Sequence, residues 1–225
     1  MTAALELVDG RAGYGPVEVL HGVTVRFPPG SVVALLGRNG AGKSTLLRVL
    51  AGTLGLRSGS VRWRGRDITG VPAFARAADG LALVPDEHNV FTDMSVRQNL
   101  DVFAAGGATD AALQVFPELE ALLDQRAGTL SGGERQMVAL SRVLVRPAGA
   151  LLLDEVSRGL SPGVVARLSG AIAGLAGPDR VVVIVEQYLH DVLRLADTVY
   201  VLRRGEIAFA GEPSELSGSL VDRSD

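Results

Sequence analysis

The run GRNGAGKST, Gly37 to Thr45, holds the only lysine of a 225-residue chain in which every other one of the 22 basic residues is arginine. Gly37-x-x-x-x-Gly42-Lys43-Ser44 has the spacing of a Walker A phosphate loop, and it stands where that loop requires, after the apolar run SVVALL and before a helical pattern. Glycines let backbone N–H groups curl around phosphate oxygens, and a helix start adds its positive end. Gly37, Asn39, Gly40, Ala41, Gly42, Lys43, Ser44 and Thr45 are therefore the candidates for binding a nucleoside triphosphate. Lys43 is expected to reach the β- and γ-phosphates and Ser44 to ligate Mg²⁺. An ammonium is a compact charge that fits inside a backbone nest, whereas a guanidinium is wide and directional. That is a physical reason for a chain poor in lysine to keep one here.

Two further motifs narrow the chemistry. ALLLDE ends an apolar run with Asp154 and Glu155. Beside a phosphate loop, Asp154 is expected to hold Mg²⁺ through water, and Glu155 to polarise the attacking water as general base. LSGGERQ, Leu130 to Gln136, pairs Ser131 with Glu134 as a capping box, and its two glycines make the helix start an anion site. With these motifs in this order the sequence resembles the ATPases of ABC transporters over almost its whole length.

That resemblance implies ATP and Mg²⁺ as cofactors and assigns further positions. Ser131, Gly132, Gly133 and Glu134 form the family's signature, which meets ATP bound by the opposite subunit. Tyr14 lies where the family stacks an aromatic ring on adenine. Asp86 occupies the Q-loop position, where glutamine is usual, and is an additional candidate metal ligand. Ser161, in SRGLSP, stands at the D-loop position, where many members carry Asp. Gln187, after VVVIVE, stands where the family usually places histidine, and its amide has a donor for the γ-phosphate. Lys43, Glu155 and Gln187 are thus the catalytic candidates, and Ser44 and Asp154 the metal candidates. Phe91 and Met94 fit either a groove that receives a membrane subunit's coupling helix or the core.

The elements that must position these residues read as an α/β chain. GVTVRF, the turn PPG and SVVALLG give a strand, a tight turn and a buried strand; a helix is expected over about 42–51. SGSVRWRGRDI alternates like an antiparallel strand with one wet face, and LALVP is a short buried strand. From Met94 to Arg146 the pattern is helical, with capping boxes at Ser95/Gln98 and Ser131/Glu134. Strands return at ALLLD, VVVIV and TVYVLRRGEIAFAG, the last a hairpin turning at Arg204-Gly205, with helices expected over 162–176 and 188–196. The expected fold is a P-loop NTPase with a RecA-like, mostly parallel sheet, an antiparallel β subdomain and a helical insertion. The single domain divides into a core of about 1–88 and 148–225 and a helical part of about 89–147.

A net charge of −3 gives no electrostatic case for nucleic acid, and the absence of cysteine removes disulfides and thiolate metal sites. No apolar run reaches the roughly 20 residues of a membrane span, so a membrane role needs other chains. VPDEHNVFTDMSVRQNL, VEQ and LLLDE-x-S-x-GL-x-P resemble the shorter ATPase subunit of branched-chain amino-acid importers; Val156 and His88-Asn89 depart from that pattern. The resemblance implies a cytoplasmic subunit on the inner face of the membrane. Its partners would be a second ATPase subunit, in a heterodimer or a homodimer, transmembrane permease subunits and, indirectly, a solute-binding protein. Import of another small polar solute such as urea or an amide, a non-transport ABC ATPase and an ATP-gated interaction module stay open at this level.

Overall fold

A computed structural model describes residues 4–86, 90–102, 109–145, 148–175, 177–186 and 193–216. The strands form two sheets that share one helix. β1 (Leu5–Tyr14), β2 (Val17–Phe27), β4 (Ser58–Trp63) and β5 (Arg66–Asp67) make an antiparallel sheet in the order β2-β1-β4-β5. β3 (Val32–Leu36), β6 (Leu81–Val84), β7 (Ala150–Asp154), β8 (Val181–Val185), β9 (Thr198–Arg203) and β10 (Glu206–Gly211) make the other, ordered β10-β9-β3-β8-β7-β6. Its pairs are parallel except for the closing β9–β10 hairpin.

Every residue of β3, β7 and β8 is buried, as expected for parallel strands covered on both faces. Alternation along β3 assigns Val33 and Leu35 to one core and Val32, Ala34 and Leu36 to the other. The first core lies between the sheets and takes Leu46, Leu47 and Leu50 of α1 (Lys43–Ala51) together with Phe27 and Trp63. The second receives Met137, Val138 and Leu140 of α5 (Gly132–Val145) and Val164, Leu168 and Ile172 of α6 (Pro162–Leu175). Short helices α2 (Ala73–Ala78), α3 (Val96–Asp101) and α4 (Thr109–Val115) complete the set among the described residues.

Several expectations change in detail. SGSVRWRGRDI is not one strand: Arg64 (φ 49°) and Gly65 (φ 76°) turn it into the β4–β5 hairpin, because positive φ at both turn residues matches the strand twist. The turn PPG does not join paired strands; it carries the chain from β2 in one sheet to β3 in the other. β1 is a strand that the sequence pattern hides, since register shifts after Leu7, Gly10 and Ala12 break its alternation. It ends on Tyr14. The helical stretch is broken by 3₁₀ turns at Pro117–Leu122 and Ala127–Thr129. Most of the helix expected over 188–196 lies outside the described residues.

Candidate active site

The site gathers at the carboxyl ends of the parallel strands, the edge where ligands bind in open α/β sheets. β3 delivers the glycine loop. Gly37 (φ 150°), Gly40 (φ 79°) and Gly42 (φ 107°) all lie in backbone regions that favour glycine. A Cβ on Gly37 would stand 2.3 Å from the carbonyl oxygen of Leu202, so β9 presses the loop from behind. Gly205 adds an N–H bond of 3.0 Å to the Ala41 carbonyl. At Gly40 the same test meets open space. The packing therefore makes a braced backbone cradle with one open side.

α1 begins at Lys43 with Gly42 as a left-handed cap and no side chain capping its first turn. Lys43 is 5% exposed, and its Nζ donates to the carbonyls of Gly37 (2.7 Å) and Arg38 (3.1 Å). Burial pushes its pKa down, while Glu155 and Asp154 oppose that shift. Thr45 is buried behind the loop and Ser44 half-buried. Ala41 is buried and Asn39 is exposed.

β7 brings up Asp154, only 2% exposed. Burial raises its pKa; a hydrogen bond with Ser44 and the charge of Lys43 lower it, and the charges of Asp86 and Glu155 raise it. Its Oδ1 is buried without a hydrogen-bond partner. An orphaned carboxylate oxygen beside a serine hydroxyl is a donor set that suits a hard divalent cation. Among the described residues no group of three or more His, Cys, Asp or Glu side chains converges. Asp86, half-buried just after β6, acts on both Asp154 and Arg48 through its charge.

Glu155 follows in the left-handed region (φ 47°), an uncommon place for a residue with a Cβ. Its N–H donates to Val185 at 2.9 Å, and Arg158 lies 3.9 Å from its Oε2. Tyr14 is 43% exposed, and Arg48 of α1 donates to its hydroxyl at 3.0 Å. An exposed ring tethered beside the phosphate loop can stack a base.

The signature residues stand apart in character. The Ser131 N–H donates to Glu134 at 2.7 Å and the Glu134 N–H returns to the Ser131 hydroxyl at 3.4 Å, so the capping box is formed. The Ser131 N–H, then its hydroxyl, holds the Glu134 carboxyl below its usual range. Ser131 and Gly132 are exposed, whereas a Cβ on Gly133 would sit 2.9 Å from the Gly159 carbonyl. Ser161 is exposed and accepts the Val165 N–H at 3.0 Å, opening α6. Gln187 lies outside the described residues.

Phe91 and Met94, 45% and 37% exposed, are not core. The Arg142 guanidinium lies 4.9 Å from the Phe91 ring centroid, and Arg142 and the Phe91 N–H both donate to buried Asn99. Burial brings the pKa of Arg142 down to about 10. Glu186 is a buried carboxylate beside the Glu155 turn to which the sequence assigns no role. It follows β8 and is 6% exposed. The same signal that marked Asp154 marks it: an acid closing a fully apolar strand.

A glycine-capped helix start, a buried lysine and strand-end carboxylates define a P-loop nucleotide hydrolase, and a second helix start bears exposed glycine. Residues 20–158 match the ABC transporter family, and the chain belongs to that family as its ATPase. It is 40% identical over 204 residues to the high-affinity branched-chain amino acid transport ATP-binding protein BraG of Pseudomonas aeruginosa, covering 86% of each chain. It is 38% identical to a protein of Archaeoglobus fulgidus named probable branched-chain amino acid transport ATP-binding protein LivF, covering 94% of this chain and 93% of that one. The fold superposes with a TM-score of 0.81 on the ADP conformation of an ATP-binding cassette of an ABC transporter, at 25% identity over 99% of this chain and 96% of that one. Among the described residues no helix is long and apolar enough to cross a membrane.

Proposed function

We propose that this chain is the shorter ATP-hydrolysing subunit of an importer for branched-chain amino acids. The observation that carries this reading is the identity of 38–40% with two branched-chain amino acid transport ATP-binding proteins along nearly their whole lengths. The chain works on the cytoplasmic face of the membrane, held there by permease subunits. The helical residues of about 89–147 form the part that meets them, with exposed Phe91 and Met94 at the contact.

In this reading the loop Gly37–Gly42 and the first turn of α1 hold the β- and γ-phosphates, and Tyr14 stacks on adenine. Lys43 keeps two of its three N–H donors on loop carbonyls and offers the third to phosphate. Ser44 and Asp154, with Asp86 nearby, hold Mg²⁺, which when bound neutralises charge developing on the phosphate oxygens. Glu155 draws the proton from the attacking water, and Gln187 donates an amide N–H to a γ-phosphate oxygen. Ser131, Gly132 and Gly133 reach the ATP of the other subunit, a longer homologue, and Ser161 lies at that junction. Closure and hydrolysis then drive alternating access in the permease, to which a binding protein delivers solute.

The test is reconstitution of the chain with the membrane subunits and the longer ATPase subunit of a branched-chain amino-acid importer. ATP-driven leucine uptake that disappears in Lys43→Ala is expected. Uptake of urea or an amide in place of leucine would refute the amino-acid assignment.

A further inference from the structure

We infer that Glu186 is a positioning residue for hydrolysis: its buried carboxylate fixes the turn that presents Glu155. The inference rests on Glu155 being the general base. β8 runs between β3, which carries the phosphate loop, and β7, which carries Asp154 and Glu155. The residue just past its end therefore emerges between the two halves of the site.

There Glu186 accepts the Ser157 N–H on Oε1 at 2.8 Å and the Ser157 hydroxyl on Oε2 at 2.7 Å. One residue earlier, the carbonyl of Val185 accepts the Glu155 N–H at 2.9 Å. Consecutive residues of β8 and its end thus grip both sides of the turn. The middle residue, Val156, is 2% exposed, and its carbonyl accepts Gln136 Nε2 of α5 at 3.2 Å. Glu155, φ 47°, sits inside this frame. A left-handed residue with a Cβ persists where its surroundings over-determine it. A carboxylate takes both Ser157 bonds at once because each of its oxygens accepts, and both bonds are charge-assisted. Without them the turn can relax, and the Glu155 carboxylate moves with it. The phosphate loop, Lys43 and Asp154 are held by other contacts and stay in place.

The experiment uses the full chain with Mg-ATP and the variants E186A, E186Q, E155Q and E155Q/E186A. It reads phosphate release, in steady state and in single turnover, and amide hydrogen exchange at Ser157. E186A should lower kcat ~10–100-fold, the scale of misplacing a reacting group by about an ångström. KM for ATP should stay within about 3-fold of wild type, since ground-state binding is untouched. E186Q should recover most of the loss, because its amide oxygen still accepts the Ser157 N–H and its NH₂ can donate to the hydroxyl oxygen. The Ser157 amide should exchange faster in E186A than in E186Q. Adding E186A to E155Q should cost less than about 3-fold, because a residue acting through Glu155 has nothing left to position. Should E186A fail to fold, S157A, which removes one of the two bonds, replaces it with an expected ~3–10-fold loss of kcat.

A folded E186A with wild-type kcat overturns the inference. So does a full ~10–100-fold further loss in the E155Q background, the mark of a structural role independent of the base. Near wild-type turnover in E155Q would instead remove the base assignment itself, whatever E186A does.

Discussion

α1 and α5 both start beside glycines, and their first turns are finished in opposite ways. At α1 the Gly42 cap is left-handed and no side chain closes the turn, while a buried lysine bridges the loop before it. At α5 the Ser131/Glu134 box satisfies the turn from within the chain, and Ser131 and Gly132 face solvent. The first suits an anion held by its own subunit, with the first-turn N–H groups left without a side-chain cap and a counter-charge built in. The second is stable with nothing bound and shows its small residues outward, which suits a ligand that arrives on another molecule. A shared sequence motif, glycine at a helix start, is therefore finished in two ways, and the cap separates them.

Changes at or near the two starts should split nucleotide binding, association and chemistry. Glu155→Gln leaves both helix starts whole and should lower turnover ~10²–10⁴-fold with ATP binding and ATP-dependent dimerisation kept, as read by phosphate release and gel filtration. If dimerisation were lost as well, the acid pair would be serving the interface. Lys43→Ala strikes the first start and should weaken ATP binding by roughly 30- to 5,000-fold, the range for truncating one partner of a buried charged contact, measured by calorimetry. Ser131→Arg strikes only the second. Its monomer should bind ATP like wild type, while the ATP-dependent dimer disappears in light scattering. Normal dimers and normal hydrolysis in that variant would erase the division between the two starts.

Two smaller effects sharpen the first start. Gln187→Ala should slow hydrolysis roughly 10- to 150-fold, the worth of one hydrogen bond to a charged group, with ATP affinity nearly kept. Gln187→Glu should be slower still, because it adds a negative charge beside the phosphate. Equal turnover in all three proteins would put Gln187 outside the site.

Asp154→Asn tests the cost of keeping a cation site ready. The folded pKa of Asp154 lies above its ordinary 3.8, chiefly through burial. Between the two values the folded state binds more protons than the unfolded chain, so stability falls as pH rises and the loss is complete above the folded pKa. In EDTA and without nucleotide, Asp154→Asn should therefore gain about 1–3 kcal/mol at neutral pH, on the scale of an unpaired buried polar group, and flatten that pH dependence. Thermal melts across the acid range would read both, and a destabilised variant would mean that the carboxylate is already satisfied.

Much of the candidate site is legible in the sequence because its spacing is local. The glycine loop, Lys43, both capping boxes and the acid pair at the end of ALLLDE lie within a few residues of the neighbours that give them meaning. The hairpin at Arg204-Gly205 was readable for the same reason, with φ of 48° and 79° at the turn. What remained hidden involves partners far apart in sequence. β1 looked like no strand because its bulges make sense only against β2 and β4. Arg48 and Tyr14 meet across the loop, and Asn99 and Arg142 meet across two helices. In the sequence Glu186 is only the neighbour of Gln187, and the order β3-β8-β7 brings it against Ser157. Sequence spacing carries the hydrogen bonds of turns and caps, because the backbone closes them within one or two turns of chain. Strand order is chosen by which apolar faces bury best together, and only that choice decides which strand end stands beside Glu155.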